Sequence, residues 1–247
     1  MLRRTHFAPK HKDSTHKETV CTTMTEMLEV LDRFQKLKLR GDLESAERLL
    51  TGWATRTGEF ADMCLAFSAL HLFALNEGRL DKAYAYAREL VALDGEDPFA
   101  HDCIARVHRL RGDLLQAEKE SRRAMDLASG SEDPMNVFSD VTGLAEILLL
   151  QDRLDECEAL ALSEMEEAAR WSESHPSFAF ALAPRLRLLG RLYRRRRDYA
   201  RSIDYFRRAS RVLVAARKPL FGYDELLEEL VSVIRECETH RATTTDG

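Results

Sequence analysis

The chain has 247 residues, of which 45% are hydrophobic and 32% charged, and carries a formal net charge of −5. It is long enough to bury a large core without disulfides or metals, and its composition is neither that of a disordered chain nor of a membrane protein. Eleven Gly and six Pro are few for a turn-rich β sandwich, the slight acidity gives no global pull toward nucleic acid, and no apolar run approaches the ~20 residues of a membrane span.

In chain order, residues 1–23 come first. They are polar and basic, with His6, His11 and His16 five apart, and read as a solvated, disordered arm rather than a metal site. No apolar stretch follows Arg3 and Arg4, so the arm does not read as a signal peptide. From Met24 onward apolar residues recur every three or four positions, which predicts helix nearly throughout. Five short breaks share one pattern, in which a turn residue is followed by an apolar residue and then a small one three further on. They are Gly41-Asp42-Leu43 with Ala46, Gly78-Arg79-Leu80 with Ala83, Gly112-Asp113-Leu114 with Ala117, Asp152-Arg153-Leu154 with Cys157, and Arg197-Asp198-Tyr199 with Ser202. Successive turns are 37, 34, 40 and 45 residues apart.

Each period is therefore a helix, a tight turn and a second helix. Glycine suits the left-handed residue just past a helix end, and the small residue lets the two helices approach closely. The predicted hairpins span 24–58, 61–94, 98–129, 135–172 and 177–217. A last helix over 221–238 presents Leu226, Leu227, Leu230, Val231 and Ile234 on one face and covers the end of the array. Residues 239–247 read as a disordered polar tail. Cys21, Cys64, Cys103, Cys157 and Cys237 are widely spaced and odd in number, which reads as free thiols in a reducing, cytoplasmic setting.

In its period and offsets the chain resembles the tetratricopeptide repeat family. Residues 64–129 carry the resemblance best: Leu70, Gly78, Leu80 and Ala83 in one unit, then Ile104, Gly112, Leu114, Ala117 and Ala124 in the next. The fifth unit adds Leu189, Gly190, Tyr193, Tyr199, Phe206 and Ala209. The resemblance implies an all-α fold, a right-handed superhelix of about five helix-turn-helix hairpins plus the terminal helix. The longer periods are similar to the extended repeats of bacterial regulators and kinesin light chains.

No phosphate-binding, dinucleotide, zinc-protease or serine-hydrolase motif is present. The cluster most like an active site is His101, Asp102, Cys103 and His108, but His101 and His108 occupy offsets where the family packs large side chains. Core or interhelix roles are expected for them, as for His71 in the slot that Ala105, Ala145 and Gly190 fill. No catalytic residue, metal or cofactor is expected.

Charge is distributed unevenly. Residues 185–217 hold twelve Arg and two acids, a net of +10, whereas residues 152–173 hold eight acids and two Arg, a net of −6. The resemblance implies that the first helix of each unit lines a concave groove. That places Arg106, Arg109, Arg187, Arg191 and Arg194 on it with Glu146, and Ser68, Leu72 and Asn76 in the second unit. Arginine grips carboxylates in bidentate fashion, so the expected partner is a protein with an acidic or helical segment. A plain alternative is that the arginines pair with the acidic fourth unit and with water. The functional reading is a non-catalytic adaptor. Its alternatives are a peptide- or ligand-sensing regulator, including one of transcription, and nucleic-acid binding through the Arg-rich fifth hairpin.

Overall fold

The computed structural model describes residues 14–129, 134–163, 165, 169–170, 179–215 and 223–245. Those residues form helices and turns, with no strand among them. They fall into two compact units that divide between Glu77 and Gly78, and each is taken by itself.

The first unit contains α1 (Ser14–Leu39), α2 (Leu43–Ala54) and α3 (Phe60–Asn76). The apolar spacing along α1 turns Met27, Val30 and Phe34 inward. Met27 packs with Ala54 and Ala66, flanked by Leu31, Trp53 and Phe67. Phe34 meets Phe73 edge to face at 5.5 Å, with the Lys38 ammonium over both rings. Helix α1 begins ten residues before Met24, so residues 14–23 are helical rather than part of a disordered arm. No Gly or Pro interrupts them, and extending a nucleated helix costs little per residue. Residues 1–13, with His6 and His11, lie outside the described residues.

The second unit contains α4 (Leu80–Leu93), α5 (Pro98–Arg111), α6 (Leu114–Ala128), α7 (Pro134–Leu150), α8 (Leu154–Leu162), α9 (Ala179–Arg195), α10 (Tyr199–Ala215) and α11 (Tyr223–Thr245). Three of the expected hairpins are α5–α6, α7–α8 and α9–α10. The helices of the expected 61–94 hairpin, α3 and α4, belong to different units. Residues 171–178, at the expected junction of the fourth and fifth hairpins, are not among those described. The terminal helix overruns its expected end at Glu238 by seven residues. Thr239 and Thr243 hydroxyls donate to the carbonyls of Arg235 and His240 within that extension, and no Gly or Pro stops it before Gly247.

The turns follow one geometry. After α5, Gly112 donates its N–H to the Arg109 carbonyl at 3.1 Å and Asp113 donates to His108 at 2.9 Å, the paired bonds of a Schellman ending. The same pair recurs at Gly41 and Asp42, at Asp152 and Arg153, and at Arg197 and Asp198. The residue at the bend is left-handed each time, with φ of 76° at Gly41, 82° at Gly112, 62° at Asp152 and 61° at Arg197. Glycine takes that conformation without cost and Asp tolerates it, whereas Arg has no such ease. Five residues past each bend the small side chain of Ala46, Ala117, Cys157 or Ser202 is fully buried.

Two core clusters run through the second unit. Leu144, Leu148, Cys157 and Ala161 pack with Leu188, Leu189, Leu192 and Tyr193. Leu182, Leu186, Ile203, Phe206, Ala209 and Leu213 pack with Leu230 and Cys237 of α11. Helices α9 and α10 cross most tightly at Gly190, where an added Cβ would stand 2.7 Å from the Phe206 ring. The Ser202 hydroxyl donates to the Gly190 carbonyl at 2.9 Å at that crossing. Among the described residues no helix is long and apolar enough to cross a membrane.

Candidate functional site

The expected groove positions of the second unit form a chain of ion pairs across its first helices. Glu146 of α7 accepts from Arg109 of α5 on one side and lies 3.6 Å from Arg191 of α9 on the other. Arg187 and Arg194, seven residues apart on α9, meet Glu229 at 3.0 Å and Glu236 at 3.1 Å, seven apart on α11. Residues seven apart on a helix stand one above the other, so the two helices lie side by side with their charges in register. Arg106 turns away to Asp102 of its own helix at 2.6 Å, and that nearly buried carboxylate keeps the guanidinium firmly charged.

The four consecutive arginines at the end of α9 and in the turn after it fan out. Arg194 goes to α11, and Arg195 to Asp152 in the turn after α7 at 3.1 Å. Arg196 goes to Asp155 and Glu158 of α8, while Arg197, at the left-handed bend, has no side-chain partner among the described residues. The fifth hairpin's charge is thus spread over both the acidic fourth hairpin and α11. Arg191, Arg194, Arg195 and Arg197 nevertheless share one cleft of about 390 Å³, which Leu149, Leu150 and Tyr199 complete.

Ser68, Leu72 and Asn76 lie on α3 in the first unit. Leu72 and Asn76 are exposed, and the Ser68 hydroxyl donates to the Cys64 carbonyl one turn back. The remaining singled-out positions are structural in placement: Ala83 is fully buried in α4, and Gly78 is left-handed with φ 67°. Tyr199 opens α10 and stacks on His240 at 5.4 Å.

The structure disperses the group His101, Asp102, Cys103 and His108. His101 is buried, with Nδ1 2.9 Å from Glu120 and Nε2 3.0 Å from the donating Arg123 Nε. His108 faces the Tyr84 ring and lies 3.5 Å from Asp113. Cys103 is fully buried, and burial pushes its thiol far above the ordinary range, away from nucleophile chemistry. Burial likewise lifts Cys157 to about 11. Cys64, Cys103, Cys157 and Cys237 are free thiols, and no group able to hold a metal ion occurs among the described residues.

Sequence reading missed Glu229 and Glu236 as partners of α9. Their seven-residue spacing, matched to that of Arg187 and Arg194, was the available signal. It also missed a knot around Glu118 of α6. Burial alone would raise that carboxyl, but hydrogen bonds from Gln151, Arg122 and Arg153 win and hold it at about 2.

No family model matches the sequence, and no curated protein matches it. Solved structures do match. A putative kinesin light chain from Podosopora anserina with nearly identical TPR-like repeats superposes with a TM-score of 0.57 at 14% identity, over 78% of this chain and 97% of that one. NprR in complex with its cognate peptide NprX gives a TM-score of 0.55 at 14% identity, over 87% of this chain and 63% of NprR. PilF of Pseudomonas aeruginosa gives 0.50 at 18% identity, over 76% and 78% of the two chains. At such identities the likeness speaks to the fold. With helices and turns alone among the described residues, the chain is an all-α, TPR-like helical-repeat protein.

Proposed function

We propose that the chain is a non-catalytic interaction scaffold that takes an acidic peptide or helix of a partner protein on the face bearing Arg106, Arg109, Glu146, Arg187, Arg191 and Arg194. One observation carries the reading. Helix α9 already holds an acidic helix of its own chain, through carboxylates seven residues apart on Glu229 and Glu236. A partner helix with the same spacing offers the same chemistry to Arg191 and Arg109, which now share a single carboxylate, Glu146. Bidentate geometry favours carboxylate over water at such sites. The buried free cysteines suit a reducing, cytoplasmic compartment.

The test compares partner capture by the natural protein with that by the Arg187→Glu, Arg191→Glu, Arg194→Glu variant. Surface ion pairs are worth roughly 0–1 kcal/mol each, so the variant keeps its helical circular dichroism. Loss of the captured protein supports the reading, and unchanged capture removes the basic face from it. A second reading, a peptide-sensing regulator, is favoured by the likeness to NprR, whose structure holds its cognate peptide. Capture of a short free peptide in place of a protein would select it. Nucleic-acid binding is disfavoured because most of the fifth hairpin's arginines already hold carboxylates.

A further inference from the structure

The bend at Arg197 departs from the rest of the array. Glycine takes the left-handed position in the turns at Gly41 and Gly112, and Asp152, a residue type that tolerates it, takes the fourth. Arg197 adopts φ 61° with a long side chain that makes no compensating hydrogen bond or ion pair among the described residues. Strained residues of this kind persist where the surroundings hold them, and they cluster at binding sites. Arg197 opens onto the cleft of about 390 Å³ whose other walls include Leu150, Arg191, Arg194, Arg195 and Tyr199.

The charges in this cleft do not balance. Arg191, Arg195 and Arg194 hold Glu146, Asp152 and Glu236, Glu146 also serves Arg109, and Asp198 beside Arg197 is taken by Arg201. Of the four guanidiniums that line the cleft, three thus hold a carboxylate and Arg197 holds none among the described residues. Each of the cleft's paired arginines holds a carboxylate, and the guanidinium fork of Arg197 suits a further one. Leu150, an exposed leucine at its edge, adds an apolar contact for the aliphatic part of an acidic side chain.

We propose that this cleft, at the turn edge of α7 and α9, is a receptor for a carboxylate-rich peptide segment, with Arg197 held unpaired to receive it. The inference rests on the scaffold reading above and extends that face, through the shared Arg191 and Arg194, to the turn edge at Arg195 and Arg197.

The test uses the full chain and a fluorescein-labelled peptide containing six consecutive glutamates, read by anisotropy at low salt. Arg197→Gly and Arg197→Asn remove the guanidinium and relieve the bend, so both are expected to melt about 2–4 °C higher and to bind the probe at least tenfold more weakly. Arg211→Gln removes the same charge ~18 Å further along α10 and is expected to bind within twofold of the natural protein. Probe affinity that survives in both Arg197 variants, or falls equally in Arg211→Gln, overturns the proposal. So does a lower melting temperature in both Arg197 variants, which would make the arginine a structural element. A labelled oligothymidine that binds more tightly than the peptide and depends on Arg197 would also overturn it, in favour of nucleic acid. Arg187→Glu, a substitution on the scaffold face but outside the cleft lining, tests that face separately, so either reading can fail while the other stands.

Discussion

Helices α3 and α9 belong to different units yet occupy the same place in the repeat, and their outward faces differ in kind. Along α3 the positions ten, six and two residues before the bend are Ser68, Leu72 and Asn76, uncharged and partly or fully exposed. Along α9 the same three offsets hold Arg187, Arg191 and Arg195, each in an ion pair with a neighbouring helix or the turn that follows one. One position nearer the hydrophobic interior, seven before the bend, His71 and Gly190 are both buried. The offsets that face inward are restricted by packing, and those that face outward are free to carry whatever chemistry a partner needs.

The largest expected effect comes from breaking an inward offset. Gly190→Ala puts a Cβ 2.7 Å from Phe206, with ring atoms rather than a flexible tip as the obstacle. Overpacking of this sort should cost about 1–3 kcal/mol, read as a lower urea midpoint at unchanged slope. A neutral result would mean that α9 and α10 separate easily, and that inward offsets are no more restricted than outward ones.

The same contrast explains what was legible in the sequence. The bends at Gly41, Gly78 and Gly112 and the buried small residues at Ala46, Ala83, Ala117, Cys157 and Ser202 repeat at fixed offsets because every hairpin must close in the same way. Their period therefore discloses the fold. The charged positions follow no period. The arginine-rich stretch could be seen as a net charge, but its division among Glu146, Asp152, Asp155, Glu158, Glu229 and Glu236 depends on which helices lie side by side. The helical state of residues 14–23 and 239–245 was hidden for another reason. Polar composition reports that a segment does not bury a face, not that it cannot extend a helix already begun.

An intermediate effect is expected where a polar knot replaces apolar packing. Glu118 has its carboxyl held at about 2 by Gln151, Arg122 and Arg153 against the opposing effect of burial. Its folded value lies below the unfolded one of 4.5. Its contribution to stability is therefore complete above about pH 5 and is lost as the pH falls through 4.5 toward 2. Glu118→Gln should cost about 1 kcal/mol at pH 7 and flatten that part of the acid denaturation curve. An acid limb as steep in the variant as in the natural protein would assign acid sensitivity to other carboxylates.

The smallest effect sharpens the comparison most. Leu72 is 42% exposed and the Arg191 side chain 43% exposed, at the same offset in α3 and α9. Exchanging their chemistry, with Leu72→Arg in one protein and Arg191→Leu in another, should move stability by no more than about 0.5 kcal/mol in either case. Leu72→Arg adds a guanidinium to an uncharged face and loses little buried apolar area. Arg191→Leu gives up an ion pair at 3.6 Å that is largely open to water. If the outward offsets are where partner choice is written, the two substitutions should alter binding in opposite directions while both melting curves stay in place. Leu72→Arg would gain affinity for an acidic peptide and Arg191→Leu would lose it. A stability loss of 2 kcal/mol or more in either protein would show that the outward faces are themselves part of the packing, and the distinction between the two kinds of offset would fail.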